Sequence, residues 1–314
     1  MKKTCAFLIA CLVGCFACAH AETANIATAG DSAVPDAVNA ASAKPDAGSI
    51  PDGSRPAVSG ASDARKTASA DNVKEPAKIV SINSVYALYT NQAKPDPVYG
   101  YGTTTNDLLT FQFEHFSFHP WGDIYVDAET YQGRNVGAPY STGNDWQSFL
   151  VMDPRLSLSK VTKKHIAYGP ISDVSLEARF ERESYPDSPH FSTRNFGLAL
   201  NWKVPGFGYF ASGVLDRYTN LDTKNTWFWR SVLLSKPGNI AHQHVYFNLL
   251  SFINGSRAHK TEYWERGDFL WDTPKLQHVQ AGIRLEYEHY SNNPLSPGHN
   301  YNRYLPELML RYTF

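Results

Sequence analysis

The sequence predicts an all-β protein: a closed antiparallel transmembrane β-barrel of about 12 strands, preceded by a signal peptide and a disordered spacer. Three observations in residues 79–314 lead to this fold class. Apolar and polar residues alternate along successive segments, short and long connections alternate between these segments, and aromatic residues lie near the segment ends. Barrel strands that cross a bilayer have this alternation and this arrangement of connections.

The first element is residues 1–21, which have a basic start, an apolar middle and a small-x-small ending. This pattern is typical of a secretory signal peptide that is cleaved after Ala21. Lipoprotein processing at Cys15 is an alternative, because LVGC at 12–15 resembles a lipobox, and both interpretations export the protein. All four cysteines lie in this element, so a chain cleaved after Ala21 has no thiol for catalysis or for a zinc site.

The second element is residues 22–78, which contain no aromatic residue and are dominated by Ala, Ser, Asp, Pro and Gly. Such a segment cannot bury enough apolar surface to offset the entropy lost on ordering. We therefore expect a disordered spacer in the periplasm. Nothing in its sequence names a partner.

The third element, residues 79–314, contains all seven Trp and all 18 Tyr of the chain. No run of 18 apolar residues occurs in it, so the sequence predicts no membrane-spanning helix. The net charge of −1 favours neither a nucleic acid nor a strongly anionic surface as a partner.

Twelve segments of the third element carry the period-2 alternation. In 276–289, Ile283 and Leu285 alternate with Arg284 and Glu286, as in a strand with one apolar and one polar face. Segments 225–235 and 242–253 are ambiguous in phase. The predicted strands are 79–90, 106–118, 121–131, 146–158, 171–184, 193–203, 207–219, 225–235, 242–253, 259–271, 276–289 and 303–314.

The connections distinguish a membrane barrel from a soluble β-sandwich, in which apolar and polar residues also alternate along the strands. Short turns near 119 and at 204–208, 236–239 and 272–275 alternate with long loops, although the link at 159–170 is longer than this rule expects. A sandwich would explain neither dense charge on one parity of the strands nor aromatic residues at their ends. The sequence therefore favours the barrel.

Every second residue of these strands points inward, and the side chains at these positions are predicted to line the interior. Both signs of charge mix there with tyrosines, which suits a neutral polar solute with a flat ring better than a simple ion. Many of these charges could equally pair with one another across strands. The predicted lining is Glu114, Asp123, Tyr125, Asp127, Glu129, Tyr131, Asp153, Arg155, Glu177, Arg179, Glu181, Arg284, Glu286, Glu288, Glu307 and Arg311.

The stretch FLVMDPRLSLSKVTKKHIAYGPISDV at 149–174 resembles the Tsx-type nucleoside-specific channels of the bacterial outer membrane and their phage-receptor relatives. That family has an acidic-Pro-Arg-apolar-Ser run, a short link, then Gly-Pro and an acidic residue. The corresponding residues here are Asp153, Pro154, Arg155, Leu156, Ser157, Gly169, Pro170 and Asp173. Weaker similarity, including the terminal LMLRYTF, reaches across most of 79–314.

The resemblance implies a monomeric barrel that passes nucleosides by passive diffusion, without chemistry and without a cofactor. It also implies that phage could use the extracellular loops. Bacterial outer-membrane proteins commonly end in an aromatic residue, so we expect the barrel assembly machinery to recognise Phe314. The barrel architecture, with its short turns on the periplasmic side, places both barrel termini in the periplasm. The spacer at 22–78 and the extra residues in the first loop depart from the family. The solute-binding candidates that it implies are Glu114, Asp123, Tyr125, Glu129, Asp153, Arg155 and Asp173.

An alternative is an outer-membrane lipid acyl hydrolase, of the lipid A deacylase or phospholipase type. His289 and Ser291 share a strand face two residues apart, and membrane-embedded acyl hydrolases use such a pair of base and nucleophile. Asn302 or Glu307 could orient the imidazole. The phase of the strand turns His289 outward, which counts against this alternative at the level of sequence.

A metal site is not expected. His242 and His244 share a strand face, but two ligands do not make a site and the sequence offers no evident third.

Overall fold

A computed structural model of the chain describes residues 79–95, 102–137, 145–184, 192–220, 225–240, 243–256, 260–273, 276, 278–292 and 298–314. The predicted signal peptide at 1–21 and the predicted spacer at 22–78 lie outside the described residues, as does His242.

Thirteen β-strands make up almost all of the described chain, and their positions follow the alternation closely. Twelve of them correspond to the twelve predicted strands, with ends shifted by a few residues. The strands are β1 (Val80–Thr90), β2 (Leu108–His119), β3 (Gly122–Gln132), β4 (Trp146–Ser157), β5 (Ile171–Ser184), β6 (Ser192–Trp202), β7 (Phe207–Thr219), β8 (Thr226–Ser235), β9 (Gly238–Ile240), β10 (Gln243–Ser256), β11 (Lys260–Asp272), β12 (Val279–Tyr290) and β13 (Tyr301–Thr313).

The sheet closes on itself. Each long strand pairs antiparallel with its neighbours in the sequence, β8 pairs with β10, and β13 returns to pair with β1. The closing register sets Ser84 opposite Thr313 and Tyr89 opposite Leu308. The amide of Phe314 donates to the carbonyl of Asn83 at 2.9 Å, which extends the closing ladder to the last residue. The described part of the chain is therefore a closed antiparallel barrel of 12 strands.

Two small elements were not predicted. Strand β9 covers three residues and pairs only with β10, beside the ring. Helix α1 (Leu158–Thr162) fills the long link after β4: the side chain of Ser157 accepts from the amide of Lys160 at 3.1 Å, and Lys163 ends the helix at φ 59°. Among the described residues, no helix is long and apolar enough to cross a bilayer.

The two faces of each strand have opposite chemistry. In β12, the buried positions include Arg284, Glu286 and Glu288, whereas Ile283 and Leu285 are exposed. This is the reverse of a soluble protein, in which the charged parity faces water. All sixteen side chains of the predicted lining are buried inside the ring.

Two prolines fit the sheet because of where they lie. The pairing of β4 with β5 skips Asp153 and Pro154, between Met152 opposite Phe180 and Arg155 opposite Glu177. Pro306 lies in β13 beyond the last pair with β1. Because proline has no amide proton, both positions avoid an unmade ladder bond.

The exterior is an apolar band with aromatic side chains near both ends. Leu198, Val214 and Leu308 are more than half exposed in the strand interiors. Trp121 and Trp271 lie at the end with the short turns, whereas Trp146 and Trp227 lie at the end with the long loops, and all four are exposed by more than a third. An apolar band flanked by two aromatic girdles is the surface that a transmembrane barrel presents to lipid.

Candidate functional site

Six of the seven solute-binding candidates lie in the barrel interior. Glu114, Asp123, Tyr125, Glu129, Asp153 and Arg155 are each at most 6% exposed. They form parts of two charged clusters, one nearer the short turns and one nearer the long loops, which we call the turn-side cluster and the loop-side cluster.

The first part of the turn-side cluster is built on Arg155. Its guanidinium donates two bonds to the Asp123 carboxylate, at 2.7 and 2.8 Å, and a third to Asn201 Oδ1 at 3.1 Å. The ring of Tyr209 lies 5.2 Å from its central carbon. A fork of two parallel bonds fixes both the position and the plane of the guanidinium.

The second part of the turn-side cluster crosses the interior. Arg230 on β8 binds Glu177 on β5 at 2.5 Å and Asp153 on β4 at 3.3 Å. Arg179 binds Asp153 at 3.4 Å and Glu181 at 2.6 Å. Since β8 lies three strands from β5 around the ring, these side chains meet in the middle of the barrel.

Arg266 on β11 is the centre of the loop-side cluster. It binds Glu286 at 2.6 Å and, across the interior, Glu129 on β3 at 3.1 Å. Its guanidinium lies 4.9 Å from the centre of the Trp264 ring. The Tyr131 hydroxyl donates to the same Glu129 carboxylate.

Further pairs complete the loop-side cluster along the closing strands. Arg284 binds Asp268 at 2.8 Å and donates to Gln112 Oε1 at 3.0 Å. Glu114 accepts from the hydroxyl of Tyr125 at 3.0 Å and from that of Tyr86. Carboxylates, guanidiniums and phenols are thus paired along most of the interior, as the cost of burying an unpaired charge requires.

Narrow cavities remain between these side chains, and one of them adjoins each cluster. The turn-side cavity is lined by the rings of Phe116, Tyr125 and Tyr209 and by charged groups of the turn-side cluster. The loop-side cavity lies among Tyr131, Trp264 and the charged groups of β11 to β13. Within the described residues, the interior is therefore occupied by side chains rather than open as a wide pore.

Two buried oxygens in the turn-side cluster are without a protein partner. Asp153 Oδ1 and Glu177 Oε2 are shielded from solvent and accept no hydrogen bond within the described part of the chain. Asp153 also lines the turn-side cavity. A buried acceptor beside a cavity is suited to receive an N–H or O–H group from a bound molecule.

Asp173 lies apart from the other candidates. It is at the short-turn end of β5, where its carboxylate accepts from the hydroxyl of Ser157 at 2.5 Å and from the amide of Ser159 at 3.2 Å. These contacts hold helix α1 against the rim of the barrel. Its place in the fold is structural, and a solute role there stays a prediction.

Arg230, Arg266 and Tyr209 are interior residues that were not predicted from the sequence. Strand β8 is ambiguous in the sequence because Phe228 and Val232 share the inward face with Arg230, so both faces are largely apolar. Arg266 and Asp268 are two residues apart in β11, so they lie on the same face of the strand. This alternation of charged residues was the feature of the sequence that could have identified Arg266 as an interior residue.

The structure places His289 and Ser291 on the outward side of the barrel near the long loops, as the strand phase predicted. Glu307 is buried in the interior, so it cannot orient His289, whereas Asn302 is directly opposite His289 in the register. Among the described residues, no group of three or more candidate ligands could hold a metal ion.

Comparison with known proteins identifies no family. No family model matches the sequence, and no curated protein matches it. A solved structure of a KdgM porin in complex with disordered oligogalacturonate is similar over 75% of this chain and 99% of that chain, with a TM-score of 0.39 and 6% identity. At this score the likeness adds nothing to the fold, which rests on the strand pairing described above. The comparisons support neither the nucleoside-channel resemblance nor the hydrolase alternative, so both stay predictions.

Replacing Arg179 by Met removes the cation that Asp153 and Glu181 share, while keeping a long side chain. Because two buried carboxylates then lose a partner, we expect the free energy of unfolding to fall by about 3–5 kcal/mol. Urea unfolding of the protein in phospholipid vesicles, followed by tryptophan fluorescence, measures this change. Arg182→Met, on the outward face of the same strand near its loop end, is the control and should change the stability by at most about 1 kcal/mol. Equal stabilities of the two variants would contradict the assigned role of Arg179.

Proposed function

We propose that this protein is a channel of the bacterial outer membrane that lets small polar solutes diffuse passively and selectively, with nucleosides as the preferred class. The observation that carries the proposal is the combination of an apolar exterior with a charged and aromatic interior that runs the length of the ring. It requires no cofactor and no chemical step.

Membrane insertion is supported by the surface of the ring. The exposed apolar side chains follow the outward parity around the barrel, and each of the twelve long strands of the ring pairs with a neighbour on both sides. Lipid offers no hydrogen bonds to the backbone, so a closed sheet is the way in which strands can cross it. The orientation follows from the connections: we place the short turns, the strand ends at Val80 and Thr313, and the predicted spacer in the periplasm.

Passage through the occupied interior requires the charged side chains to exchange partners. Arg179 and Arg230 each bind more than one carboxylate, so either can release one contact while keeping another. A solute that offers hydrogen bonds can replace the released contact, whereas an apolar solute cannot. This favours slow, saturable and selective diffusion over a general pore.

The turn-side cavity supports the choice of solute class. The rings of Phe116, Tyr125 and Tyr209 offer faces for stacking, and the free oxygen of Asp153 and the guanidinium of Arg155 lie in the same cavity. A nucleoside has both a flat ring and several hydrogen-bonding groups, so it can use both kinds of contact. A monomeric state and use of the loops by phage belong to this proposal as consequences of the family resemblance. Recognition of Phe314 by the assembly machinery belongs to it because outer-membrane barrels commonly end in an aromatic residue.

Leu308→Arg tests whether the exterior faces lipid. Leu308 lies near the middle of β13 and is 66% exposed. An arginine at the midplane of a bilayer costs about 2–4 kcal/mol of folding free energy, whereas the same change on a water-exposed surface stays within about 0.5 kcal/mol. Unfolding in phospholipid vesicles measures the difference. Val80→Arg, at the rim, is the control and should cost at most about 1 kcal/mol. A harmless Leu308→Arg substitution would contradict the membrane assignment.

Asp153→Ala and Arg155→Ala test the solute site. Each removes a charged hydrogen-bonding group from the turn-side cavity, so we expect the apparent KM for nucleoside uptake to rise about tenfold or more, with insertion retained. Uptake of radiolabelled nucleoside into liposomes that carry the purified protein measures this effect, with sugars of similar size as the competing solutes.

The matched control for this measurement is Asp216→Ala. Asp216 is an exposed carboxylate on the outward face of β7, so its removal should leave uptake unchanged. If nucleoside uptake by Asp153→Ala and by Arg155→Ala saturates as it does in the wild type, Asp153 and Arg155 are not part of the solute site. Equal rates for nucleosides and sugars would leave a general small pore in place of a selective channel.

A further inference from the structure

Three polar side chains come together on the outward face of the barrel, at the end with the long loops. His289 near the end of β12 lies directly opposite Asn302 near the start of β13, and Ser291 follows His289 by two residues. None of the three takes part in the charged clusters of the interior.

The distances connect these side chains in one chain of contacts. The His289 Nδ1 atom lies 2.8 Å from Asn302 Oδ1, and His289 Nε2 lies 3.4 Å from Ser291 Oγ. Asn302 Oδ1 also accepts from the Tyr287 hydroxyl at 2.9 Å. With the amide oxygen facing Nδ1, that nitrogen carries the ring proton and Nε2 presents its lone pair to the serine. This is the tautomer that a general base requires.

Ser291 is held in place by the neighbouring strand. Its hydroxyl donates to the carbonyl of Thr261 at 3.0 Å, and its amide donates to the same carbonyl at 3.2 Å. A rotation of the hydroxyl proton alone redirects it from Thr261 to His289. A base-nucleophile contact of 3.4 Å is within the range for a site without substrate, because such contacts tighten when substrate binds.

A second Ser-His pair in this barrel differs from the first in the group that contacts its imidazole. Ser117 Oγ lies 3.0 Å from His119 Nε2, at the opposite end of the barrel, and Trp121 stacks on that imidazole at 4.9 Å. A stacked indole cannot fix the ring proton, whereas Asn302 can. A nucleophile, a base and a group that orients the base form the arrangement that defines hydrolytic triads on unrelated folds.

The surroundings point to a membrane lipid as the substrate. The ring of Tyr263 lies 5.7 Å from His289, and Tyr287 and Tyr304 pack together beside it at 5.0 Å. These rings belong to the girdle at the loop end, which lies at the level of the lipid headgroups. The acyl ester bonds of membrane lipids lie at the same depth, between the headgroups and the chains. The outward orientation of His289, which counted against a hydrolase in the sequence analysis, is the one that a lipid substrate needs, because the ester lies outside the barrel.

We propose that Ser291, His289 and Asn302 form an acyl-ester hydrolase site for membrane lipids on the outer rim of the barrel. Ser291 Oγ attacks the ester carbonyl carbon as its proton passes to His289 Nε2. The bond to the lipid oxygen breaks, and that oxygen takes the proton from His289. Water then gives a proton to His289 and its oxygen to the acyl carbon, which releases the fatty acid, and the proton returns to Ser291. Asn302 is a positioning residue that acts through His289.

The test uses the full-length protein, folded in detergent micelles that contain a diacyl phosphatidylethanolamine, with released fatty acid measured by mass spectrometry. We expect the wild type to release fatty acid. Ser291→Ala and His289→Ala should lower kcat by at least about 10³-fold, because a nucleophile and its base act as one unit. Ser117→Ala, in the pair without an orienting amide, should keep wild-type activity. Heat-dependent gel mobility confirms that each variant is a folded barrel.

A second readout separates a positioning role from a structural one. Asn302→Ala should lower kcat with KM nearly unchanged, because the tautomer of His289 is no longer fixed while the lipid contacts are kept. Labelling by a long-chain sulfonyl fluoride, followed by intact mass, should add one adduct to the wild type and none to Ser291→Ala. A folded wild type that releases no fatty acid and takes no label would overturn the proposal, and so would equal release by the wild type and Ser291→Ala.

Discussion

The closure of the sheet is the constraint on which the rest of this structure depends. In lipid an unpaired backbone group costs several kcal/mol, so a spanning sheet cannot have an edge. Strand β13 removes the edge by pairing with β1, and the ladder reaches Phe314. Once the ring is closed, successive side chains of every strand point alternately to the lipid and to the interior. The side chains that point to the lipid must be apolar.

The interior follows from the same constraint. A ring of 12 strands is too wide to fill with short side chains, and here arginines reach across it to carboxylates on distant strands, as Arg266 does to Glu129. Such pairs offset the cost of burying charge only while both partners are present. They therefore stiffen the barrel. They also contain the hydrogen-bonding groups to which a solute would bind under the proposed function.

The sequence predicted the strands and the lining because both depend on local alternation. The parity of β3 and β4 alone places Asp123, Asp153 and Arg155 inside, where the structure has them. The cross-barrel partners could not be predicted, since Arg266 and Glu129 are 137 residues apart and meet only after closure. The His-x-Ser pair was visible in the sequence, but the choice of Asn302 over Glu307 as its orienting group needed the register of β12 with β13.

Electrical recording from single barrels in a planar lipid bilayer tests the central claim that the charged interior is a conduction path. Our account predicts small, discrete conductance steps that fall reversibly and saturably when a nucleoside is added, because the solute occupies the same narrow interior as the ions. A barrel shown to be folded and inserted, yet without conductance steps at any voltage, would contradict it. The cross-barrel ion pairs would then be a permanent plug.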